Sequence, residues 1–562
     1  MATRTRISLF SISIVFLLVF SPQLSVGQVL LTPSEKTGFE EYTSYEDMMV
    51  YLQDLQATTT EMLLSDFGST VEGRQQPYAV FSRPLITQPW EAMTSGKPIV
   101  VLAANIHGGE RTVRESLLLI AREFVTPGTP MHALLDDLII VMVPTINPDG
   151  LVRATRGNSQ GVDMNRDWIK LEQPALYNYV RNILLTWKPH LFLDGHNGGA
   201  EPYNICYQGP ANAAGDMRLT DLCDQEIFPY ISEEMEANGY MAWYYSRGDS
   251  TQWRTAPTES RISINYGGMI NSIAVLFESP RQDRETGALS GLVATRALVQ
   301  YVADNAEKVM MTVDRARRET IERGQNPGGE IVVEMETGPK PYKVSYYIMP
   351  RGARGGRGGG GGEPDVQQPL EPIFITGADL MLESIPTKTR PWPYAYILEA
   401  RAFRAIEMLK RQKVMIEVLQ EDTEIPVEAY VPVEYVRGSV YDHPASVTSI
   451  TVEEETVQET RMFPAGTYII RTGQAMGRII THVLEPETPD NVITWNTMDA
   501  ILPRIGGSGR RAFTGAPPDS SAMQRAGAEQ RQGQERQQRP PQVIPIFKLM
   551  VPTTLPTKIL KY

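Results

Sequence analysis

Apolar runs of strand length alternate with longer amphipathic segments between about residues 40 and 320. The runs fall at 99–104, 138–144, 191–194 and 273–277. Such alternation predicts an α/β structure in which a mixed, mainly parallel sheet is buried between helices. The segment "RTVRESLLLIAREF" at 111–124 has its apolar residues at helical spacing. We therefore expect an amphipathic helix that packs on the sheet directly after the first run.

The alternation of apolar runs and amphipathic segments ends near residue 325. A chain of 562 residues is too long for one average domain. The pattern predicts a first domain at 40–325 and a smaller C-terminal α+β domain at 326–505. Within the second, the Gly/Arg-rich segment "RGARGGRGGGGGE" at 351–363 cannot bury a core, so it should be a linker or loop. Composition predicts disorder at 506–541, followed by a C-terminal tail at 542–562.

The amino terminus has the composition of an export signal. Arg4 and Arg6 precede an apolar run at 7–20, and small residues suited to cleavage follow at 25–27. The alternative is a membrane anchor, but the run is shorter than the ~20 residues that a span needs. The sequence predicts a signal at 1–27 and a secreted or periplasmic protein that has no contact with the membrane after signal removal.

Charge and cysteine content limit the possible partners and crosslinks. The net charge is −13, from 66 acidic and 53 basic residues, which argues against a nucleic-acid-binding surface. Cys206 and Cys223 are the two cysteines, so an exported protein forms one disulfide at most. The sequence leaves open whether they pair, and it leaves the oligomeric state open as well.

The stretch "AANIHGGE" at 103–110 ends the first apolar run with a histidine and a carboxylate. His107 and Glu110 then lie on a turn at the carboxyl end of a strand, where α/β sheets bind ligands. Two intervening glycines let the backbone turn tightly, so both side chains can converge on one point. Imidazole and carboxylate are good zinc ligands, and a catalytic zinc site needs a third protein ligand beside a water.

His196 is the best candidate for the third ligand among the six histidines. It follows the apolar run at 191–194 and stands in the Gly-rich turn "FLDGHNGG". His190 precedes the same run and belongs at the opposite edge, while His132 lies in a loop and His443 and His482 lie in the C-terminal part. A hydrogen-bonded structural histidine is the alternative interpretation of each of these residues.

An ordered set of motifs resembles the zinc carboxypeptidases of the carboxypeptidase A-like family. The family has an H-x-x-E pair, an N-P-D-G turn, an arginine, a G-V-D-x-N-R segment, a later histidine and a final glutamate, in that order. The corresponding residues here are His107 and Glu110, 147–150, Arg153, 161–166, His196, and Glu278 in "IAVLFESP".

The resemblance implies a role for each matching residue. One zinc ion per chain would be bound by His107, Glu110 and His196, and Glu278 would be the general base. Arg153 would stabilise the oxyanion, and Arg156 is its competitor for that role. Further residues fall into two groups: Asn165 and Arg166 would bind the substrate carboxylate, and Asp163 would orient a ligand histidine.

Two features depart from the family pattern. Gly109 stands before Glu110, where digestive members carry a basic side chain. The family's active-site tyrosine has no secure match, because Tyr266 is close to Glu278 in sequence while Tyr244 and Tyr245 lie further upstream. Side-chain preference therefore stays open.

The resemblance implies a carboxypeptidase-like fold and an exported zinc metallocarboxypeptidase that acts on peptide or protein C-termini. Hydrolysis would use a zinc-activated water and the carboxylate of Glu278. One alternative is a zinc amidase or deacylase that acts on cell-wall or other non-protein substrates. Another is a binding protein that keeps the fold without catalysis, although such a protein has no need of Glu278.

Overall fold

The structure is a computed structural model in which one compact unit, Thr32–Tyr562, contains all the elements below. Among the described helices, none combines the length and apolar composition that a bilayer span requires. The residues that it describes are 29–255, 258–350, 371–439, 446–504 and 541–562.

Several sequence predictions fall outside the described residues. They concern the signal at 1–27, the Gly/Arg-rich segment at 351–363, the part of the predicted disordered segment at 506–540, and His443. These stay predictions.

The strands and helices are numbered in chain order. The strands are β1 Met62–Ser69, β2 Gln75–Phe81, β3 Ile99–Ala104, β4 Ile139–Val143, β5 Leu191–His196, β6 Ile205–Gln208, β7 Ala242–Tyr244, β8 Arg247–Gly248, β9 Gln252–Arg254, β10 Ile273–Glu278, β11 Glu330–Ile348, β12 Ile373–Pro391, β13 Ala395–Leu398, β14 Glu417–Leu419, β15 Thr423–Ala429, β16 Pro432–Ser439, β17 Ser446–Val452, β18 Val457–Phe463, β19 Tyr468–Arg471, β20 Phe547–Leu549 and β21 Thr557–Ile559. The α-helices are α1 Pro33–Lys36, α2 Tyr45–Ala57, α3 Pro89–Thr94, α4 Thr112–Val125, α5 Pro130–Ala133, α6 Pro148–Arg153, α7 Pro174–Asn178, α8 Leu185–Trp187, α9 Met217–Leu222, α10 Phe228–Ala237, α11 Ser263–Met269, α12 Arg284–Asp304, α13 Ala306–Gln325, α14 Phe403–Arg411 and α15 Gly477–Leu484.

The largest sheet has eight strands in the order β1-β2-β4-β3-β5-β10-β6-β7. Its central strands β4, β3, β5 and β10 run parallel, and antiparallel pairs join β2 to β4 and β6 to β10. Every residue of these four central strands is buried, which is why they are continuous apolar runs in the sequence. The predicted mixed, mainly parallel sheet flanked by helices is confirmed.

The helices around this sheet agree with their sequence patterns. Helix α4 buries most of its length, and it packs against α12 on the same side of the sheet. Gly291 on α12 allows this close contact, because a Cβ there would come within 2.3 Å of the Ser116 hydroxyl oxygen. The predicted helix at 111–124 is therefore present as Thr112–Val125.

The C-terminal region, which we define as residues 326–562, is rich in β-structure. Strands β11 and β12 form a long antiparallel hairpin, and β12 also pairs with β9 from the first domain. A separate seven-stranded sheet has the order β18-β15-β20-β13-β19-β14-β21. Helix α13 ends at Gln325, beside the predicted domain boundary. The boundary stays a prediction, since both regions belong to one compact unit.

Both cysteines are free and buried. Cys206 lies on β6 opposite Glu278 of β10, and Cys223 begins a helical turn after α9. Burial raises the pKa of Cys206 to about 12, so its thiol stays protonated at neutral pH. The pairing that the sequence left open is not formed in this structure.

Candidate active site

His107 and Glu110 lie on the turn that follows β3. The side-chain amide of Asn105, whose φ is 63°, donates hydrogen bonds to the carbonyls of His107, Gly108 and Glu110 at 3.0, 3.1 and 2.8 Å. A Cβ at Gly108 would come within 1.9 Å of the Gly150 carbonyl carbon. Glycine at 108 therefore lets the N-P-D-G turn pack against this loop, and this packing fixes both side chains.

His196 ends β5, which lies next to β3 in the sheet. Its Nδ1 atom is 3.1 Å from Nδ1 of His107 and 2.9 Å from Oε2 of Glu110, and Nδ1 of His107 is 3.0 Å from Oε1 of Glu110. The structure thus brings together the three predicted zinc ligands, and among the described residues they form a group suited to a metal ion.

The donor set fits zinc. Bonds of about 2.0–2.2 Å in a tetrahedral site place ligand atoms about 3.3 Å apart, close to the spacing of these nitrogen and oxygen atoms. Two histidines and one carboxylate leave a fourth position for water or substrate. Each histidine also uses its remaining nitrogen to bind a carboxylate, which is the usual support of a zinc-binding imidazole.

Asp163 and Asp194 supply these supporting carboxylates. Nε2 of His107 is 3.0 Å from Oδ1 of Asp163, and Nε2 of His196 is 2.8 Å from Oδ2 of Asp194. The sequence identified Asp163 but missed Asp194. The sequence signal for Asp194 was its position two residues before His196 in "DGH". Residues i and i+2 of a strand lie on one face of the sheet, so the two side chains are neighbours.

The side chains of this group stabilise one another in their charged forms. Burial lowers the pKa of His196, but Asp194 and Glu110 outweigh burial and hold the pKa well above its usual value. Burial likewise lowers the pKa of His107, and its hydrogen bonds with Asp163 and Glu110 raise the pKa overall. Hydrogen bonds with both histidines lower the pKa of Glu110 against the effect of burial. Zinc binding at this site must therefore displace protons.

Replacing Asp194 with asparagine is expected to weaken zinc binding by about 10- to 100-fold, because the ring of His196 loses its charged partner. Competition with a chromogenic chelator measures the affinity. The matched control is Asp224→Asn, since Asp224 is also a buried carboxylate but contacts Lys340 and Tyr244 instead. Equal zinc affinity of the Asp194 variant and the control would contradict this prediction.

Glu278 ends β10 in parallel register with His196 of β5. A Cβ at Gly198 would lie 2.6 Å from Oε2 of Glu278, so the carboxylate occupies the space beside the loop that follows His196. Burial raises the pKa of Glu278 to about 7; His196 opposes this shift and Glu110 adds to it. The site therefore holds a carboxylate that can take up a proton near neutral pH.

The structure separates the two candidate arginines. Arg153 ends α6 and forms an ion pair with Glu72. Arg156 instead places Nη1 at 3.2 Å from both Nδ1 of His107 and Oε1 of Glu110. Of these two arginines, Arg156 therefore has its guanidinium beside the predicted ligands, and the role of each stays a prediction.

Asn165 and Arg166 lie on a short 3-10 helix, Met164–Arg166, which Asp163 caps. Oδ1 of Asp163 accepts a hydrogen bond from the Asn165 backbone N–H at 2.8 Å and also contacts His107. Burial raises the pKa of Asp163, but the hydrogen bond and charge of His107 lower it overall, with smaller contributions from the charges of Arg156 and Arg166. One aspartate thus fixes the helix that carries the predicted carboxylate-binding residues relative to His107, a predicted zinc ligand.

Of the candidate tyrosines, Tyr245 is the one near the site. The charge of Glu278, followed by burial, raises the pKa of Tyr245 well above its usual value. Tyr266 is fully buried and donates its hydroxyl proton to Gln412 at 2.7 Å, while Tyr244 is bound to Asp224. Sequence spacing to Glu278 favoured none of these three residues.

The other described histidines have structural partners. Nδ1 of His190 accepts a hydrogen bond from the Ile99 backbone N–H at 3.0 Å, at the amino end of β3 as predicted. His132 pairs with Glu61, and His482 contacts Ser260.

The protein therefore has an α/β fold with a candidate metal centre, a His–Glu–His group at the carboxyl ends of the parallel strands. Residues 48–183 match the family profile described as zinc carboxypeptidase. The chain is 26% identical over 493 residues to carboxypeptidase 2 of Trichophyton tonsurans, which covers 82% of this chain and 86% of that protein. It is also 27% identical over 214 residues to carboxypeptidase D of Mus musculus, covering 31% of this chain and 15% of that protein.

Among solved structures, a metallo-carboxypeptidase from Burkholderia cenocepacia aligns with a TM-score of 0.39 and 18% identity, over 47% of this chain and 70% of that one. The profile match and the alignment with carboxypeptidase 2 show that this chain is similar to zinc carboxypeptidases, which supports a peptidase. The resemblance found in its motifs is confirmed.

Proposed function

We propose that the protein is an exported zinc metallocarboxypeptidase, which hydrolyses the last peptide bond of peptides or proteins. The observation that carries this proposal is the convergence of His107, Glu110 and His196 beside the buried carboxylate of Glu278. A protein that only binds a ligand needs no residue here beyond the metal ligands. A hydrolase also needs a general base whose pKa is close to neutral.

One zinc ion per chain would be held by the three ligands, with Asp163 and Asp194 fixing the two imidazole rings. Zinc bound there supplies Lewis acidity, which lowers the pKa of a water and polarises a carbonyl.

Glu278 acts as the general base of the proposed reaction. Its carboxylate takes a proton from the attacking water and later gives that proton to the amine that leaves. Burial brings its pKa to about 7, so the same group accepts and donates a proton at neutral pH. The buried position also excludes bulk water from the proton transfer.

Arg156 stabilises the oxyanion in this proposal. Its side chain is half-exposed, so it lies at the boundary between the ligands and the solvent from which substrate enters. Ion pairs with Asp163 and Glu110, at 2.9 and 3.2 Å, hold the guanidinium in place. A fixed positive charge at this point stabilises negative charge that develops on the scissile carbonyl.

Asn165 and Arg166 bind the carboxylate of the substrate's last residue. A guanidinium matches a carboxylate with two parallel hydrogen bonds, which places the scissile bond at a fixed distance from the clamp. Asp163 connects this clamp to His107 and hence to the metal ligands. Exopeptidase specificity follows from that fixed geometry.

Replacing Arg166 with alanine is expected to raise KM for peptides with a free C-terminus by about 100-fold, since a charge-assisted bidentate pair contributes about 3 kcal/mol. Steady-state kinetics on matched free and amidated peptides measure the effect. Arg181→Met provides a control, because Arg181 is on the first domain but contacts the carbonyls of Lys410 and Arg411. Equal losses on both peptide types would contradict the clamp.

The test of the proposed function is a panel of peptides with free or amidated C-termini, incubated with the purified protein with and without a chelator. Stepwise loss of single residues from free C-termini, abolished by the chelator, is the expected result. Chelator-sensitive cleavage of amidated or acylated compounds alone would instead indicate the amidase or deacylase alternative.

Export is the part of the proposal that depends on the segment at 1–27. Mass spectrometry of protein recovered from the culture medium or the periplasm would find a mature chain that begins after Gly27. Retention of the intact segment inside the cell would contradict export.

A further inference from the structure

The side chain of Asn165 is held in one orientation by two hydrogen bonds. Its Oδ1 accepts them from the indole Nε1 of Trp168 at 2.8 Å and from the backbone N–H of Ser263 at 3.1 Å. Because Oδ1 is occupied, the amide nitrogen is the group that remains available to a carboxylate ligand. The position of Asn165 therefore depends on two chain segments, one around Trp168 and one around Ser263.

Gln412, at the end of α14 in the C-terminal region, holds the first of these segments. Its amide nitrogen donates to the carbonyls of Trp168 and Ile169, both at 2.9 Å, and its oxygen accepts from the hydroxyl of Tyr266 at 2.7 Å. Gln412 is fully buried. All three bonds of this side chain thus connect the C-terminal region to the surroundings of Asn165.

Asp490, also in the C-terminal region, holds the second segment. Its carboxylate accepts a hydrogen bond from Oγ of Ser260 at 2.7 Å and pairs with Arg261 at 3.0 Å. Ser260 lies three residues before Ser263, on the loop that leads into α11. His482 adds a further contact, with its Nε2 at 2.7 Å from Oγ of Ser260. The side chains of Ser260 and Asp490 are almost fully buried.

These contacts are directional and buried, which distinguishes them from ordinary packing between two regions. A buried hydrogen-bond network has one low-energy arrangement, because each polar group left unpaired inside it loses its hydrogen bonds without regaining those to water. Apolar contacts alone would stabilise the same interface without fixing the loop around Ser260 or the segment around Trp168.

We propose that the C-terminal region positions the subsite for the substrate's terminal carboxylate, with Gln412 and Asp490 as positioning residues that act through Asn165. This inference rests on the proposed function for the identity of the ligand. It assigns to the C-terminal region a part in substrate binding, although none of its residues belongs to the zinc ligand set.

The experiment compares Asp490→Ala and Gln412→Leu with the wild-type full-length protein loaded with zinc. Misplacement of a substrate-binding group by about 1 Å costs up to 100-fold, so KM for a peptide with a free C-terminus is expected to rise at least tenfold. We expect kcat to change less than threefold and zinc content to stay the same. Asp490→Asn keeps an acceptor for Ser260 and should restore most of the wild-type KM.

Hydrogen–deuterium exchange without substrate gives a second measurement that does not depend on activity. Both variants are expected to exchange faster at 163–169 and 258–269, while α12 stays protected. The matched control is again Arg181→Met, which removes a contact between the same two regions next to Gln412 without touching Trp168 or Tyr266. Its KM and its exchange at these segments should equal those of the wild type.

Unchanged KM and exchange in both variants would overturn the inference, and so would a loss confined to kcat or to zinc content. A wild-type protein that releases no C-terminal residue would refute the proposed function instead. In that case the exchange measurement alone would decide whether Gln412 and Asp490 hold the segments around Asn165.

Discussion

Replacing Glu278 with glutamine is expected to lower kcat by about 1,000-fold, within the 10²- to 10⁴-fold range of general acid–base catalysis. The amide keeps the size of the side chain beside Gly198 but cannot accept the proton of the attacking water. Zinc content and KM should change little, because Glu278 is not one of the three ligands. Steady-state kinetics together with metal analysis of the same sample provide the measurement.

Cys206→Ser is the matched control for this variant. Cys206 lies directly opposite Glu278 on β6 and is also buried, yet it has no part in the proposed reaction. Its kcat should stay within about threefold of the wild type. Loss of zinc from the Glu278 variant, or a kcat close to that of the control, would contradict the assignment of Glu278 as the base.

The second large effect separates two arginines that lie three positions apart. Arg156→Ala is expected to lower kcat/KM by about 100- to 1,000-fold, the usual cost of removing an oxyanion donor. Arg153→Ala should change kcat/KM by no more than about fivefold, because its ion pair with Glu72 is exposed to solvent and contributes little. Both variants are measured on the same peptide with a free C-terminus.

Zinc content is measured beside the kinetics, since Arg156 also contacts Glu110 and Asp163. Full zinc occupancy with lost activity would support a role in the reaction. A large loss in the Arg153 variant and none in the Arg156 variant would reverse the assignment and restore the role that the motif order implied.

The sheet and the metal ligands could be predicted because their signals are local. Buried parallel strands are uninterrupted apolar runs, and the run at 99–104 coincides with β3. Polar residues at the ends of such runs belong to one edge of the sheet, which brought His107 and His196 into a single hypothesis, and the family resemblance added Glu278. The structure places these three residues at that edge.

The choice between Arg153 and Arg156 could not be made from the sequence. Both follow the N-P-D-G turn, and their side-chain directions depend on where α6 ends. The helix ends at Arg153, and Ala154 then has a left-handed conformation with φ 52°. That change of direction sends Arg153 towards Glu72 and returns the chain so that Arg156 reaches His107.

The roles of Gln412 and Asp490 could not be predicted either, because they depend on contacts between residues distant in sequence. Gln412 and Asp490 contact Trp168 and Ser260, which lie more than two hundred residues earlier in the chain. A buried glutamine at a helix end and an aspartate in a loop carry no signal of their own in one sequence. Asp194 differs, because its spacing from His196 is a local signal.

The most direct test of the central claim is a zinc titration of protein from which all metal has been removed. C-terminal residue release from one peptide is followed as zinc is added back to a known concentration of chains. We expect no release without metal and a linear rise that stops at one zinc per chain. Full activity in the metal-free protein, or cleavage only at internal bonds, would contradict a zinc carboxypeptidase.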